Sequence, residues 1–239
     1  MAVGKTTLII ALILVLSIII IAGVRLLRYW LSNKDIRHPQ LRISEAFHKF
    51  KTGDIILFIP HANGFTNSLL TGDIYSHGGI IVAESPESVG ISEATFLEEL
   101  APTPGGGSIK MPAHAATVPA LLRMKNYRGT CFWMPRSRPL DAERERRAFA
   151  LAAERHPYPH PASIIAQVLL GIKFTRGRHC FEHLGWFLDS LGLTPLDREG
   201  SPLQKAGSIR ICREIARLPG RELADGSHYL EPIQLIYDL

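Results

Sequence analysis

The spacing of hydrophobic residues changes several times along this chain, and each spacing predicts a different element. From Leu8 to Val24 ("LIIALILVLSIIIIAGV") there is no charged residue, and Ser17 is the single polar side chain. With Leu26 and Leu27 beyond Arg25 the stretch reaches roughly 20 residues, the length of a bilayer-spanning helix. Residues 41–50 ("LRISEAFHKF") have the pattern of a short amphipathic helix. "IILFI" (55–59), "HGGIIVA" (77–83) and "ISEATFL" (91–97) read as strands, separated by a polar connection ending in "LLTGDIY" and by the turn "ESPESVG". The Pro- and Gly-dense 101–116 reads as a long surface loop, and strand-like segments resume at "TVPALLRM" and "GTCFWMPR". Beyond residue 140 the period becomes helical. "LDAERERRAFALAAER" (140–155) starts on Asp141 as a cap, "HPYPHP" breaks it, and "ASIIAQVLLGIKF" (162–174) predicts a further helix. In "CFEHLGWFLDSLGL" (180–193), Phe181, Leu184, Leu188 and Leu191 recur at 3-, 4- and 3-residue steps along one face, and Gly192 ends the helix. Strands first and helices after predict an α+β domain, with an antiparallel sheet packed against helices.

Charge changes the picture at the N-terminus. Residues 1–38 hold five Lys or Arg and one Asp, so they carry +4 of the chain's +5. Arg25, Arg28, Lys34 and Arg37 follow the apolar run, which predicts a single-pass, uncleaved transmembrane anchor with the following domain on the cytoplasmic side. The remainder is nearly neutral. The basic surplus therefore fits a patch beside anionic lipid, and no nucleic-acid partner is expected. The expected domains are 1–38, anchor and basic segment, and 39–239, one folded unit of sufficient length for a full core. "GKT" near the start lacks the first glycine and the preceding strand of a phosphate-binding loop.

Cys131, Cys180 and Cys212 are odd in number and show no C-x-x-C spacing, which argues against a disulfide framework. "RHCFEHLGWFL" (178–188) carries two incompatible candidate chemistries. His179-x-x-Glu182-His183 has the H-x-x-E-H spacing of a zinc-peptidase helix, yet the sequence supplies no third ligand at a telling distance. Alternatively, Cys180 is a nucleophile in the first turn of the helix. There the dipole, Arg176, Arg178 and His179 favour a thiolate. A nucleophile needs a base, and His77 opens a predicted strand just before two glycines. Glu93 lies 16 residues on, where the next antiparallel strand sets a carboxylate beside an imidazole.

In order, "GDIILF", "YSHGGIIV", "ISEAT", "HPYPHP" and "RHCFEHLGWFLDSLGL" resemble the circularly permuted papain-like (NlpC-type) enzymes, specifically the YiiX-like branch and its relatives in large DNA viruses. The resemblance covers roughly residues 45–195. It implies Cys180 as nucleophile, His77 as base and Glu93 as the third residue, with Glu84 as the alternative. Glu182 matches the family's Cys-x-Glu pattern, Phe181 departs from its usual Ser or Thr, and Tyr158 resembles an aromatic wall. The implied activity is cysteine-dependent hydrolysis of an amide bond through a thioester, with no cofactor or metal. The partner would be an amide- or ester-containing substrate, peptide or lipid. Lipid acyl hydrolysis or acyl transfer on the same fold, and an inactive membrane-tethered binding or virion-structural module, are the competing expectations.

Overall fold

The structure is a computed structural model that describes residues 38–60, 75–85, 87–94, 100–102, 108–110, 115–127, 129–159, 163, 177–195, 203 and 208–238, with scattered helical positions between 12 and 27. Its centre is a seven-stranded sheet. In chain order the elements are β1 (Gln40–Arg42), α1 (Ile43–Phe47), β2 (Ile55–Pro60), β3 (His77–Ser85), β4 (Ser88–Ala94), β5 (Leu100–Pro102), β6 (Ser108–Lys110), β7 (Ala115–Pro119), α2 (Ala120–Asn126) and β8 (Gly129–Met134). They continue with α3 (Ala142–Ala153), α4 (Cys180–Ser190), α5 (Ser208–Ala216) and β9 (Ile233–Ile236). The strand order is β1-β9-β8-β2-β3-β4-β7, antiparallel except for the parallel β1–β9 pair.

The central strands are buried on both faces, which explains why "IILFI" is a continuous apolar run and not an alternating one. Ile55, Leu57, Ile80, Val82, Phe132 and Met134 point to one side, where α3, α4 and α5 pack. Ile56, Phe58, Ile81, Val89, Ile91 and Trp133 point to the other, against α1 and α2. A polar clamp fixes the start of β2. Gly53 adopts φ +97, open to glycine at little cost. Asp54 accepts hydrogen bonds from the backbone of Lys51 and Arg136 and from Trp133 Nε1.

The two glycines after His77 are filled by this chain's own side chains. A Cβ on Gly78 would lie 3.2 Å from Leu184 and Leu57, so the glycine lets α4 sit directly on β3. A Cβ on Gly79 would lie 2.5 Å from Ile91 Cγ2 and 3.0 Å from the Ser92 carbonyl, on the opposite face. Gly79→Ala is expected to cost about 1–3 kcal/mol, because Ile91 is β-branched and cannot rotate away. The check is its midpoint in urea; an unchanged midpoint would contradict the close β3–β4 approach.

Several expectations are corrected. The transmembrane helix within 1–38, and with it the single-pass placement and cytoplasmic-side domain, is not supported. No helix among the described residues is long and apolar enough to cross a membrane. The longest named one, α3, has 12 residues, whereas a span needs about 20. Outside the scattered positions between 12 and 27, and residue 38, that segment lies outside the described residues, as do 61–74 and all of 162–174 except Ser163. The sheet is not wholly antiparallel. Within 101–116, β5 and β6 form a two-stranded ladder. "TVPALLRM" is strand only to Pro119 and helix from Ala120.

Candidate active site

Helix α4 begins on Cys180, and both of its ends are set locally. The N-cap His179 is extended, and its backbone N–H donates to Glu182 Oε2 at 3.3 Å. The Glu182 N–H donates back to the His179 side chain, and the N–H groups of Cys180 and Phe181 have no acceptor within the helix, so its positive end lies at the thiol. At the other end Gly192 has φ +68, its N–H donates to the Asp189 carbonyl, and Leu193 N–H donates to Leu188. That pair of bonds is the Schellman stop expected of a glycine just past the last turn. The helix buries Phe181, Leu184 and Leu188, and also Cys180 and His183, which face His77 and Ser92 on the sheet, and Gly185, against which Ile211 of α5 packs.

His77 opens β3 opposite Phe58 on β2, with the two rings 5.4 Å apart. One pairing step further, Gly79 faces Glu93 on β4, and the missing side chain leaves room for the carboxylate to reach back. His77 Nε2 and Glu93 Oε2 are 2.6 Å apart. With Nε2 committed to Glu93, Nδ1 is the nitrogen that remains for the hydrogen bond linking His77 to the Cys180 thiol. The structure thus brings together Cys180, His77 and Glu93. It does not bring Glu84 into the site: Glu84 is exposed and lies near Ser88 Oγ.

Electrostatics here oppose burial and overcome it. Burial pushes the Cys180 thiol up; the positive His77 and hydrogen bonds from His179 and His77 outweigh it and lower the thiol to about 6. Burial also disfavours a charged His77, but the facing Cys180 and Glu93 raise it to about 9. Glu93, only 1% exposed, would be pushed up by burial and is instead held below the usual carboxylate range by His77 and Arg123. Each charge favours the other, so the arrangement favours a thiolate–imidazolium pair over the neutral one.

Two neighbours, Arg123 and Ser92, were not read from the sequence. Arg123 on α2 places Nε 2.6 Å from Glu93 Oε1, the oxygen His77 leaves unused. Its guanidinium also lies over Phe58 and Tyr127, 5.3 and 5.4 Å from the ring centroids. Ser92, next to Glu93 but on the other face of β4, meets His183 Nε2 at 3.1 Å. One strand thus holds the imidazole with Glu93 and the helix that starts on Cys180 with Ser92. Pro119, which favours a helix start immediately after it, was the sequence signal for α2 and Arg123.

Tyr158 faces the thiol, and burial together with Cys180 and Glu182 raises its phenol. It is held there because Gly177 admits the 157–159 backbone, where a Cβ would meet the Pro157 carbonyl at 2.7 Å. Arg178 N–H donates to that same carbonyl. The H-x-x-E-H residues do not converge. His179 lies 3.8 Å from Glu182, while His183 faces Ser92, His156 and Trp186, and burial lowers it to about 3. Among the described residues no group of three His, Cys, Asp or Glu is arranged to hold a metal ion. The other thiols sit elsewhere. Cys131 lies 3.4 Å from the Tyr237 hydroxyl and is pushed up to about 11 by burial, and Cys212 donates to the Tyr75 carbonyl.

No protein-family description matches this chain, and no curated protein matches it in sequence. Among solved structures, the metalloprotein yiiX from Escherichia coli O157:H7 is similar, at 19% identity and a TM-score of 0.41, covering 65% of this chain and 78% of that one. A superposition this partial transfers no residue role, so the roles of Cys180, His77 and Glu93 rest on this chain's own geometry.

Proposed function

We propose that this protein is a cysteine hydrolase of the permuted papain-like (NlpC-type) kind, cleaving an amide bond through a thioester on Cys180. The observation that carries the reading is the buried Cys180–His77–Glu93 series, in which the thiol is lowered and the imidazole raised by each other's charge.

The reaction uses only the groups present. The Cys180 thiolate attacks the substrate carbonyl carbon, forming a C–S bond while the carbonyl oxygen gains the negative charge. The N–H of Cys180, in the first turn at the positive end of α4, would donate to that oxygen. Collapse of the tetrahedral species breaks the C–N bond, and His77 gives its proton to the leaving amine. Neutral His77 then takes a proton from water, whose oxygen attacks the thioester and releases the carboxylic acid. That proton restores the imidazolium, and breaking the C–S bond as the acid leaves returns the Cys180 thiolate. Glu93 holds the ring through Nε2 and stabilises its charged form.

The test is a panel of peptide amides and activated acyl esters incubated with the protein, with the products read by peptide mass spectrometry. The expected result is an acyl adduct on Cys180 that hydroxylamine releases and that Cys180→Ala lacks. Turnover of amides should be bell-shaped, rising as the thiolate forms through about pH 6 and falling as His77 loses its proton through about pH 9. Adducts on ester substrates with no turnover of any amide would assign the site to ester or lipid acyl chemistry instead. No adduct on Cys180 with either class would leave a binding module.

A further inference from the structure

The catalytic steps leave Arg123 without a role, although it is the most deeply engaged cation on the Glu93 side of the sheet. Its side chain is 9% exposed, its Nε meets Glu93 Oε1 at 2.6 Å, and its guanidinium lies against the faces of Phe58 and Tyr127. Phe58 also touches His77, so one ring supports both the base and the cation behind it. The chain reaches this position by an indirect path. β7 pairs with β4, setting Ala116 opposite Glu93, and α2 then turns back over the sheet and returns residue 123 to the carboxylate.

Resting on the hydrolase reading of the site, we propose that Arg123 is a positioning residue of a four-member relay, Cys180–His77–Glu93–Arg123, and fixes the pH at which the nucleophile becomes reactive. Charge balance is the reason. With the thiolate and imidazolium formed, the four groups sum to zero. Without Arg123, the same buried set carries one uncompensated negative charge. The need is sharpest in mid-reaction. When His77 gives its proton to the leaving group, Glu93 loses the positive charge at Oε2, and Arg123 alone keeps the buried carboxylate ionised and aimed. The base can then pass between its two protonation states with no proton moving onto Glu93.

The groups facing Glu93 are His77 on β3, Arg123 on α2, Cys131 on β8 and His183 on α4. Those facing Cys180 are His77, His179, Tyr127 and Tyr158. Cys131 is held protonated, and burial keeps His183 neutral and raises the phenols of Tyr127 and Tyr158. Arg123 is thus the cation on the Glu93 side whose charge does not vary across the working range.

The sign of the effect is fixed. Removing the cation disfavours a second negative charge at Cys180 and lets Glu93 accept a proton at higher pH. Both changes move the onset of thiolate reactivity upward. The experiment measures Cys180 alkylation by iodoacetamide against pH in wild type, Arg123→Met, Arg123→Gln and Arg123→Lys, each first checked for native circular dichroism. Arg123→Met and Arg123→Gln are expected to move the onset up by about one pH unit, which lowers the thiolate fraction at pH 6 about fivefold, and Arg123→Lys to recover part of it. Arg123→Gln keeps an N–H donor in place of Nε while removing the charge, so it carries the test should Arg123→Met not fold. A side chain with a merely structural role would leave the onset where wild type has it, and folded variants with an unmoved onset overturn the proposal. A wild type without low-pH reactivity overturns the hydrolase reading itself, and the relay falls with it.

Discussion

His77→Ala is expected to remove the low-pH reactivity of Cys180. With the imidazolium in place the thiol ionises near about pH 6, so about half is thiolate at that pH. Without it, burial returns the thiol to at least the ordinary value of about 8.5, and the thiolate fraction at pH 6 falls roughly 150-fold. A more basic thiolate is also the better nucleophile, which recovers about tenfold of that loss. The net expectation is a fall of about tenfold or more in alkylation rate at pH 6, shrinking toward nothing above pH 9, where His77 is neutral in wild type as well. Amide turnover should fall much further, because the variant lacks both the leaving-group acid and the base for water. Mass spectrometry of the Cys180 peptide gives the first number. An equal rate at pH 6 with and without His77 would mean that the ring does not control the thiol.

The second large effect is on stability. Glu93 is a buried carboxylate held by two cationic partners, His77 at one oxygen and Arg123 at the other. Glu93→Ala leaves the guanidinium buried without its carboxylate and the imidazole without its anchor. Breaking a buried pair from one side costs about 3–5 kcal/mol, because the stranded charge keeps its desolvation penalty. For a domain of this size that lowers Tm by about 6–20 °C. The Glu93→Ala/Arg123→Met double variant should cost clearly less than the two single changes added, since the second change removes the stranded charge. Thermal unfolding of the three variants checks this. A Glu93→Ala variant within about 1 kcal/mol of wild type would contradict a buried bridge, as that is the range of exposed pairs.

The two effects separate what the sequence discloses from what it conceals. Local patterns were legible. The apolar runs at 55–60 and 77–83 became paired strands, the capping role of Asp141 is seen in its bond from Arg144 N–H, and Gly192 ends α4 through its left-handed backbone. A histidine starting one strand and a glutamate on the next, joined by a short turn, leave antiparallel pairing few registers, and the structure places the two side chains in contact. The features the sequence concealed are those set by distant segments. β1 lies parallel to β9 although nearly 200 residues separate their pairing positions, and no local period signals that. Arg123 stands in "TVPALLRM", whose β-branched start hid the switch to helix at Ala120. Ser92 and His183 meet across the sheet–helix interface, and the sequence assigned neither to the other. The glycines at 78 and 79 leave spaces beside the backbone. Packing filled those spaces with Leu184, Phe181, Ile91 and Glu93.

The central claim is that Cys180 is already a thiolate near neutral pH while Cys131 is not. It is tested by alkylating the wild-type protein with iodoacetamide across pH 5 to 10 and reading each cysteine by peptide mass spectrometry. Cys180 is predicted to reach half its maximal rate near about pH 6 and to stay reactive above it, whereas Cys131, pushed up to about 11, stays unreactive across most of that range. If Cys180 instead rises only alongside Cys131 and Cys212, no thiolate–imidazolium pair exists at rest, and the hydrolase reading is contradicted.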